Sequence, residues 1–243
     1  MKTPVRALCA FLLLAASACT SQPGAQASPP PAQEAGVARA ACDNTYVPVK
    51  AGATWTFKNT NNLTQPLTQI TTITDVSAGS FTQKVDLGDG TTWTETWTCA
   101  QGGLLQLQNN GGPAALALGP SGKATVTTKS NTGITVPTDP KVGDTWSQTT
   151  ETAISSTDVN TTESVTTTYK AIDMESVTVT AGTFDALRVD IAVTGTVTYQ
   201  NGASMPVTST GSTWLVRGKG AVKSTSTTGS VVGEQDLQSY QIP

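Results

Sequence analysis

The residues with chemistry to offer are few. Histidine is absent from all 243 positions, which removes Ser-His-Asp and Cys-His nucleophile systems, histidine zinc and copper sites, and the commonest general base at neutral pH. Carboxylates remain. Glu95 stands between Trp93 and Trp97 at period two, so on a strand all three share a face and the carboxyl is drawn out of water. Burial of that kind raises a carboxyl pKa and would suit an acid catalyst. Glycoside hydrolysis needs a second carboxylate at a set distance, and no spacing identifies one, so a satisfying partner such as Lys84, Arg188 or a tyrosine hydroxyl is expected. Val85 to Gly90, VDLGDG, resembles part of a calcium loop but lacks its alternating acidic ligands and closing Glu; it reads as a hairpin turn. Asp158, Asn160 and Glu163 lie in a Thr-rich polar stretch that reads as a loop. No catalytic residue, metal site or cofactor is assigned, and the chain is expected not to be an enzyme.

The four cysteines sort by position. Lys2 and Arg6 precede the short apolar run Ala7 to Ala16, and Ala16-Ser17-Ala18 stands directly before Cys19; this predicts residues 1–18 as a signal peptide. A Cys after small residues resembles the bacterial lipobox, which makes Cys19 the expected lipidation site. Plain cleavage without lipid is the alternative, because Ala16 stands where lipoboxes usually carry Leu. Residues 19–41, rich in Pro, Ala, Gln and Ser, read as a disordered tether. Cys9 leaves with the signal, so Cys42 and Cys99 remain for a disulfide in an oxidising compartment. The net charge of −3 with 13% charged residues includes no basic stripe, which excludes nucleic acid as a partner. Polarity comes instead from 45 threonines, β-branched residues that suit a pleated surface.

What must position these residues is β structure. Leu187, Val189, Ile191 and Val193 alternate with polar neighbours, as do Val177 with Val179 and Trp93 with Glu95 and Trp97; no mature stretch longer than about ten residues keeps a helical period. Turn signals separate the runs at Asp89-Gly90, Asn109-Asn110-Gly111-Gly112, Asn131-Thr132-Gly133, Asn201-Gly202 and Gly218-Lys219-Gly220. Three phrases recur in order. VKAGATWTF (Val49 to Phe57) returns as PKVGDTWSQ (Pro140 to Gln148), SAGSFTQKVDL (Ser77 to Leu87) as TAGTFDALRVDI (Thr180 to Ile191), and ETWTCAQGGLL (Glu95 to Leu105) more weakly as STWLVRGKGAV (Ser212 to Val222). The growing offset between copies predicts longer hairpins in the second. The expected architecture is all-β: two related antiparallel curved-sheet modules, half-barrel or sandwich-like, over 42–137 with a connector and 138–243. In each opening phrase a Gly permits the turn and a Trp anchors the strand that follows. Trp55, Trp93, Trp97, Trp146 and Trp214 are therefore core anchors or, where the sheet is open, walls facing a ligand.

These phrases resemble those of a group of bacterial exported lipoproteins, through Pro140 to Trp146, Val177 to Val189 and Trp214 to Lys223. The first copy departs in its last phrase, where Cys99 replaces an apolar residue. The resemblance extends to the curved half-barrels of lipoprotein-carrier proteins and implies an open sheet able to cup something apolar. The expected role is a non-catalytic scaffold or partner-binding subunit of the cell envelope, exported and lipid-anchored at the outer membrane or cell surface. Its expected partners are the bilayer, through the anchor, and another envelope protein. The alternative is a carrier of an apolar, lipid-like small molecule in a Trp-lined concave sheet, and a carboxylate-dependent enzyme ranks third.

Overall fold

A computed structural model describes residues 42–100, 102–110, 125–155 and 160–243. The signal peptide, Cys19, the tether, Gly111-Gly112 and Asp158 lie outside the described residues. Within them there is no helix, and thirteen strands form one sheet in the order β6-β8-β9-β10-β11-β12-β13-β1-β2-β3-β4-β5-β7, antiparallel throughout. The strands are β1 Thr54–Asn61, β2 Leu67–Val76, β3 Ser80–Asp86, β4 Thr92–Ala100, β5 Gly103–Asn110, β6 Thr125–Gly133, β7 Val136–Pro137, β8 Thr145–Ser155, β9 Asn160–Val179, β10 Gly182–Tyr199, β11 Ser204–Val216, β12 Gly220–Thr228 and β13 Val231–Gln241. The two expected half-sheets thus join into one ladder, across which Thr54 to Asn61 of β1 pair with Gln241 to Gly233 of β13.

Chain connectivity forces this sheet to curl. β6 and β7 stand at opposite ends of the strand order, yet only Ile134 and Thr135 separate them. Two residues span about 10 Å at most, so the sheet's ends must meet. They meet through the linking residues, Ile134 N–H bonding Ser147 O and Thr135 N–H bonding Leu104 O, and through side chains. Gln148 Nε2 donates to Gln106 O (3.1 Å) and to Asn131 Oδ1 (3.0 Å), Thr135 Oγ1 donates to Gln148 Oε1 (2.7 Å), and Asn131 Nδ2 also donates to Gln106 O. Curling presses backbones together in the long central hairpin. A Cβ on Gly195 would stand 2.3 Å from Ser164 O, so only Gly fits there.

The repeated Lys-x-Gly-x-Thr-Trp phrase builds the same device twice. Ala53 N–H bonds Lys50 O and Asp144 N–H bonds Lys141 O; Gly52 and Gly143 have φ of 85° and 95° and donate to Ile73 O and Ala171 O. Trp55 and Trp146 are then the second residues of β1 and β8. The second-copy hairpin is longer, as the offsets predict: β9 and β10 have 20 and 18 residues against 10 and 7 in β2 and β3. Its tip returns to the sheet, where Ala181 N–H bonds Leu237 O.

Two local expectations change. Asn160 and Glu163 belong to β9 and not to a loop; the buried position between them is a threonine, Thr161, so no hydrophobic alternation marks the strand. Asn131-Thr132-Gly133 closes β6 in place of forming a free turn. Asn201-Gly202 joins β10 to β11, and Asp86 and Asp89 accept from Gly88 and Thr91 N–H in the expected hairpin turn.

Candidate functional site

One end of the curled sheet is sealed by the segment before β1. Asn44 Oδ1 accepts from the Tyr46 and Val47 amides and its Nδ2 donates to Pro137 O, while Gly218 and Gly220 N–H bond Thr45 O and Tyr46 O. Tyr46 is fully buried beneath Leu187, Val189 and Leu215. Cys42 is disulfide-bonded to Cys99 at the floor end of β4, with Cα atoms 4.8 Å apart, so this strap is also covalently pinned. The hairpins at Asn61–Leu67, Asp86–Thr92, Tyr199–Ser204 and Thr228–Val231 lie at the other end.

Above the strap the inward faces enclose a cavity of about 300 Å³. Period-two alternation sends one face of β1, β3 and β8–β11 toward it, and its walls include Trp55, Trp97, Trp146, Phe57, Phe81 and Tyr169. Two stacked pairs stiffen those walls: Phe81 on Trp97, centroids 5.5 Å apart at 11°, and Trp146 on Tyr169, 5.4 Å apart at 10°. Trp55 Nε1 donates to Lys219 O and Trp146 Nε1 to Thr135 O, so both indoles keep their polar edge satisfied. Burial pushes the Tyr169 hydroxyl up to about 12, partly offset by Thr167; it stays neutral. Toward the hairpin end the wall turns polar, and a second hollow of about 440 Å³ includes Asn59, Asn61, Ser226 and Gln235, with Ser224 shared between the two. The interior therefore runs from an aromatic floor to a hydroxyl- and amide-lined mouth.

The five tryptophans do different work. Trp55, Trp97 and Trp146 line the cavity. Trp93 is buried against Val85 and Leu87 in a separate cluster. Trp214 is outside the cavity wall, with Nε1 donating to Glu175 Oε2 at 2.9 Å and Arg188 over its ring. Glu95 occupies the inward face expected of it, but its partner differs from those expected. Lys84 pairs with Asp86 and Arg188 with Glu175 and Asp190, while Glu95 Oε1 accepts from Trp93 Nε1 at 3.1 Å. Burial lifts its carboxyl above the usual range, against the pull of Trp93, Trp97 and Gln106. Gln83, its cross-strand neighbour, lines the cavity. No group of three or more metal-ligating side chains occurs among the described residues.

Sequence reasoning missed Phe57, Tyr169, Thr135 and Gln148. The first two carry period-two patterns that place them inward, while the seam residues Thr135 and Gln148 give no local signal.

No family model matches the chain, and no curated protein matches it. Solved structures share its fold. A lipoprotein candidate from Parabacteroides distasonis is 15% identical with a TM-score of 0.53, covering 82% of this chain and 100% of its own. A candidate exported protein with YmcC-like fold from Bacteroides fragilis is 11% identical with a TM-score of 0.51 and the same coverage. At these identities the likeness is one of fold.

Proposed function

We propose that this chain is an exported, lipid-anchored cell-envelope protein that holds an apolar molecule inside its curled sheet, without catalysing a reaction. The cavity carries this reading: about 300 Å³ walled by three tryptophans and their stacked partners, at the lower bound of known ligand sites and of their usual apolar-with-few-polar character. A protein selected only for stability gains by filling such a space, because an unfilled volume forfeits packing contacts. The anchor rests on the signal and Cys19, and the fold shared with two exported-protein or lipoprotein candidates is in keeping with it.

The test is gentle purification followed by native mass spectrometry and solvent extraction. A stoichiometric apolar molecule that leaves on denaturation is expected; protein that is empty from every envelope preparation contradicts the proposal. The partner-binding reading keeps one observation of its own. Leu63 and Val232, 68% and 52% exposed, flank Asn62, whose amide bonds Val232 O, and form a small apolar patch at the hairpin end. Co-purification of another envelope protein, lost on Leu63→Ser, would favour it.

A further inference from the structure

Strand register places a row of hydroxyl and amide side chains along the rim of the aromatic floor. Thr213 of β11 stands opposite Ser224 of β12, Ser224 opposite Gln235 of β13, and Gln235 opposite Asn59 of β1. Thr213 and Ser224 line the cavity, while Ser224, Gln235 and Asn59 line the mouth, so one ridge borders both spaces. The next row toward the hairpin end holds Ser226, Gly233 and Asn61, and Gly233, with no side chain, borders the mouth. The ridge is braced from below. Thr213 Oγ1 and Ser224 Oγ lie 3.0 Å apart, and Gln69 Oε1 accepts from Asn59 Nδ2 at 2.9 Å and from Gln235 Nε2 at 3.3 Å, its own Nε2 donating to Thr71 Oγ1 of the cavity wall at 3.2 Å. Each amide has two donors and a carbonyl acceptor, so these bonds leave capacity unused. Among the described residues the side-chain carbonyls of Asn59 and Gln235 accept nothing, and neither is a buried unpaired atom, so both reach open space. No lysine or arginine lines either space, and Glu234, the charged residue bordering the mouth, is paired with Lys223.

We infer that the site takes an uncharged amphiphile with a hydroxyl-rich head, a polyol or sugar, whose hydroxyls bond Ser224, Gln235 and Asn59 in the mouth while its apolar part enters the aromatic floor. The inference rests on the cavity being a ligand site. A hydroxyl donates and accepts at one atom, as the hydroxyls and amides of the ridge require of a partner. Neighbouring ridge groups stand on strands about 4.8 Å apart, a separation that hydroxyls of one sugar ring can bridge. A carboxylate or phosphate head would give up hydration with no cation in the wall to replace it. An ammonium would find only Glu234, which Lys223 already holds. A hydrocarbon or a simple alcohol would fill the floor and leave most of the ridge to water.

The test uses the full-length chain carrying Cys19→Ala, with the neutral dye N-phenyl-1-naphthylamine as reporter and competitors that share an octyl chain, each below its micelle concentration: octyl glucoside, 1-octanol, octanoate and octylamine. Octyl glucoside is expected to displace the dye about ten-fold more effectively than the others, the size of one or two net hydrogen bonds. Asn59→Ala and Gln235→Ala should each shrink that advantage severalfold while leaving 1-octanol unchanged. A Cβ at Gly233 would first meet the movable Ser226 hydroxyl, at 3.0 Å, so Gly233→Val narrows the mouth without a backbone clash; it should abolish the advantage and again spare 1-octanol. Equal displacement by octyl glucoside and 1-octanol overturns the head assignment and leaves the ligand site standing, as does an advantage that survives all three substitutions. Preference for octanoate or octylamine overturns it in favour of a charged head. Failure of the dye and every competitor to bind overturns the ligand site itself.

Discussion

Trp93 and Trp146 carry the same side chain into two different surroundings, and their truncations should separate accordingly. Trp93 is buried against Val85 and Leu87 and bonds Glu95, so Trp93→Ala should cost roughly 3–5 kcal/mol. Trp146 faces the cavity on one side and has less to lose; Trp146→Ala should cost about 2 kcal/mol or less, read by urea denaturation of both variants. Glu95 makes a pH prediction. Its carboxyl is raised in the folded state by burial, so the folded chain holds the proton more tightly than the unfolded chain does. Its destabilising effect is therefore absent below the ordinary glutamate range and grows as pH rises through the raised value. Glu95→Gln, which can still accept from Trp93, should melt higher than the parent at pH 8 and level with it at pH 4. A variant that melts lower at both pH values contradicts the assignment.

Strands and turns were legible in the sequence where their signals are local. The alternation of Leu187 to Val193, the Asn201-Gly202 hairpin and the Gly-x-Thr-Trp device depend on neighbours within a few positions, and each forms as read. The Cys42–Cys99 disulfide followed from elimination among cysteines and compartment. The seam did not. Gln148, Asn131, Thr135 and Gln106 are polar residues on Thr-rich strands, and only the meeting of β5 with β6, far apart in pairing order, gives them a joint role. Sequence also could not decide which tryptophans face a void, because period two fixes the face and not what lies opposite. Gln148 is buried and makes three side-chain bonds at the seam, the one to Gln106 O crossing it; Gln148→Ala should cost about 1–3 kcal/mol and raise amide exchange at Leu104 to Gln106 first. The disulfide closes a 57-residue separation, for which loop-closure entropy gives about 4 kcal/mol at most. Because the ladder runs unbroken through β13 and β1, reduction should lower one cooperative transition and not melt half of the chain alone.

As a whole, the molecule joins a floor that is strapped and disulfide-pinned to an interior that grows polar toward its hairpin end. An anchor at Cys19 would leave this body intact when removed, so Cys19→Ala should shift the protein from the membrane to the soluble fraction with an unchanged melting temperature. Stable anchoring needs more than one acyl chain, and continued membrane fractionation of the variant would contradict the lipid assignment. The ligand site calls for a variant that removes the space and nothing else. Ala221 lines the cavity wall without bulk of its own, so Ala221→Phe fills it from one side. Titration of N-phenyl-1-naphthylamine, followed by quenching of tryptophan emission, should saturate at one dye per parent chain and fail to saturate for Ala221→Phe folded to the same near-ultraviolet circular dichroism. Unsaturable binding by the parent, or equal binding by the filled variant, would contradict a ligand held inside the sheet.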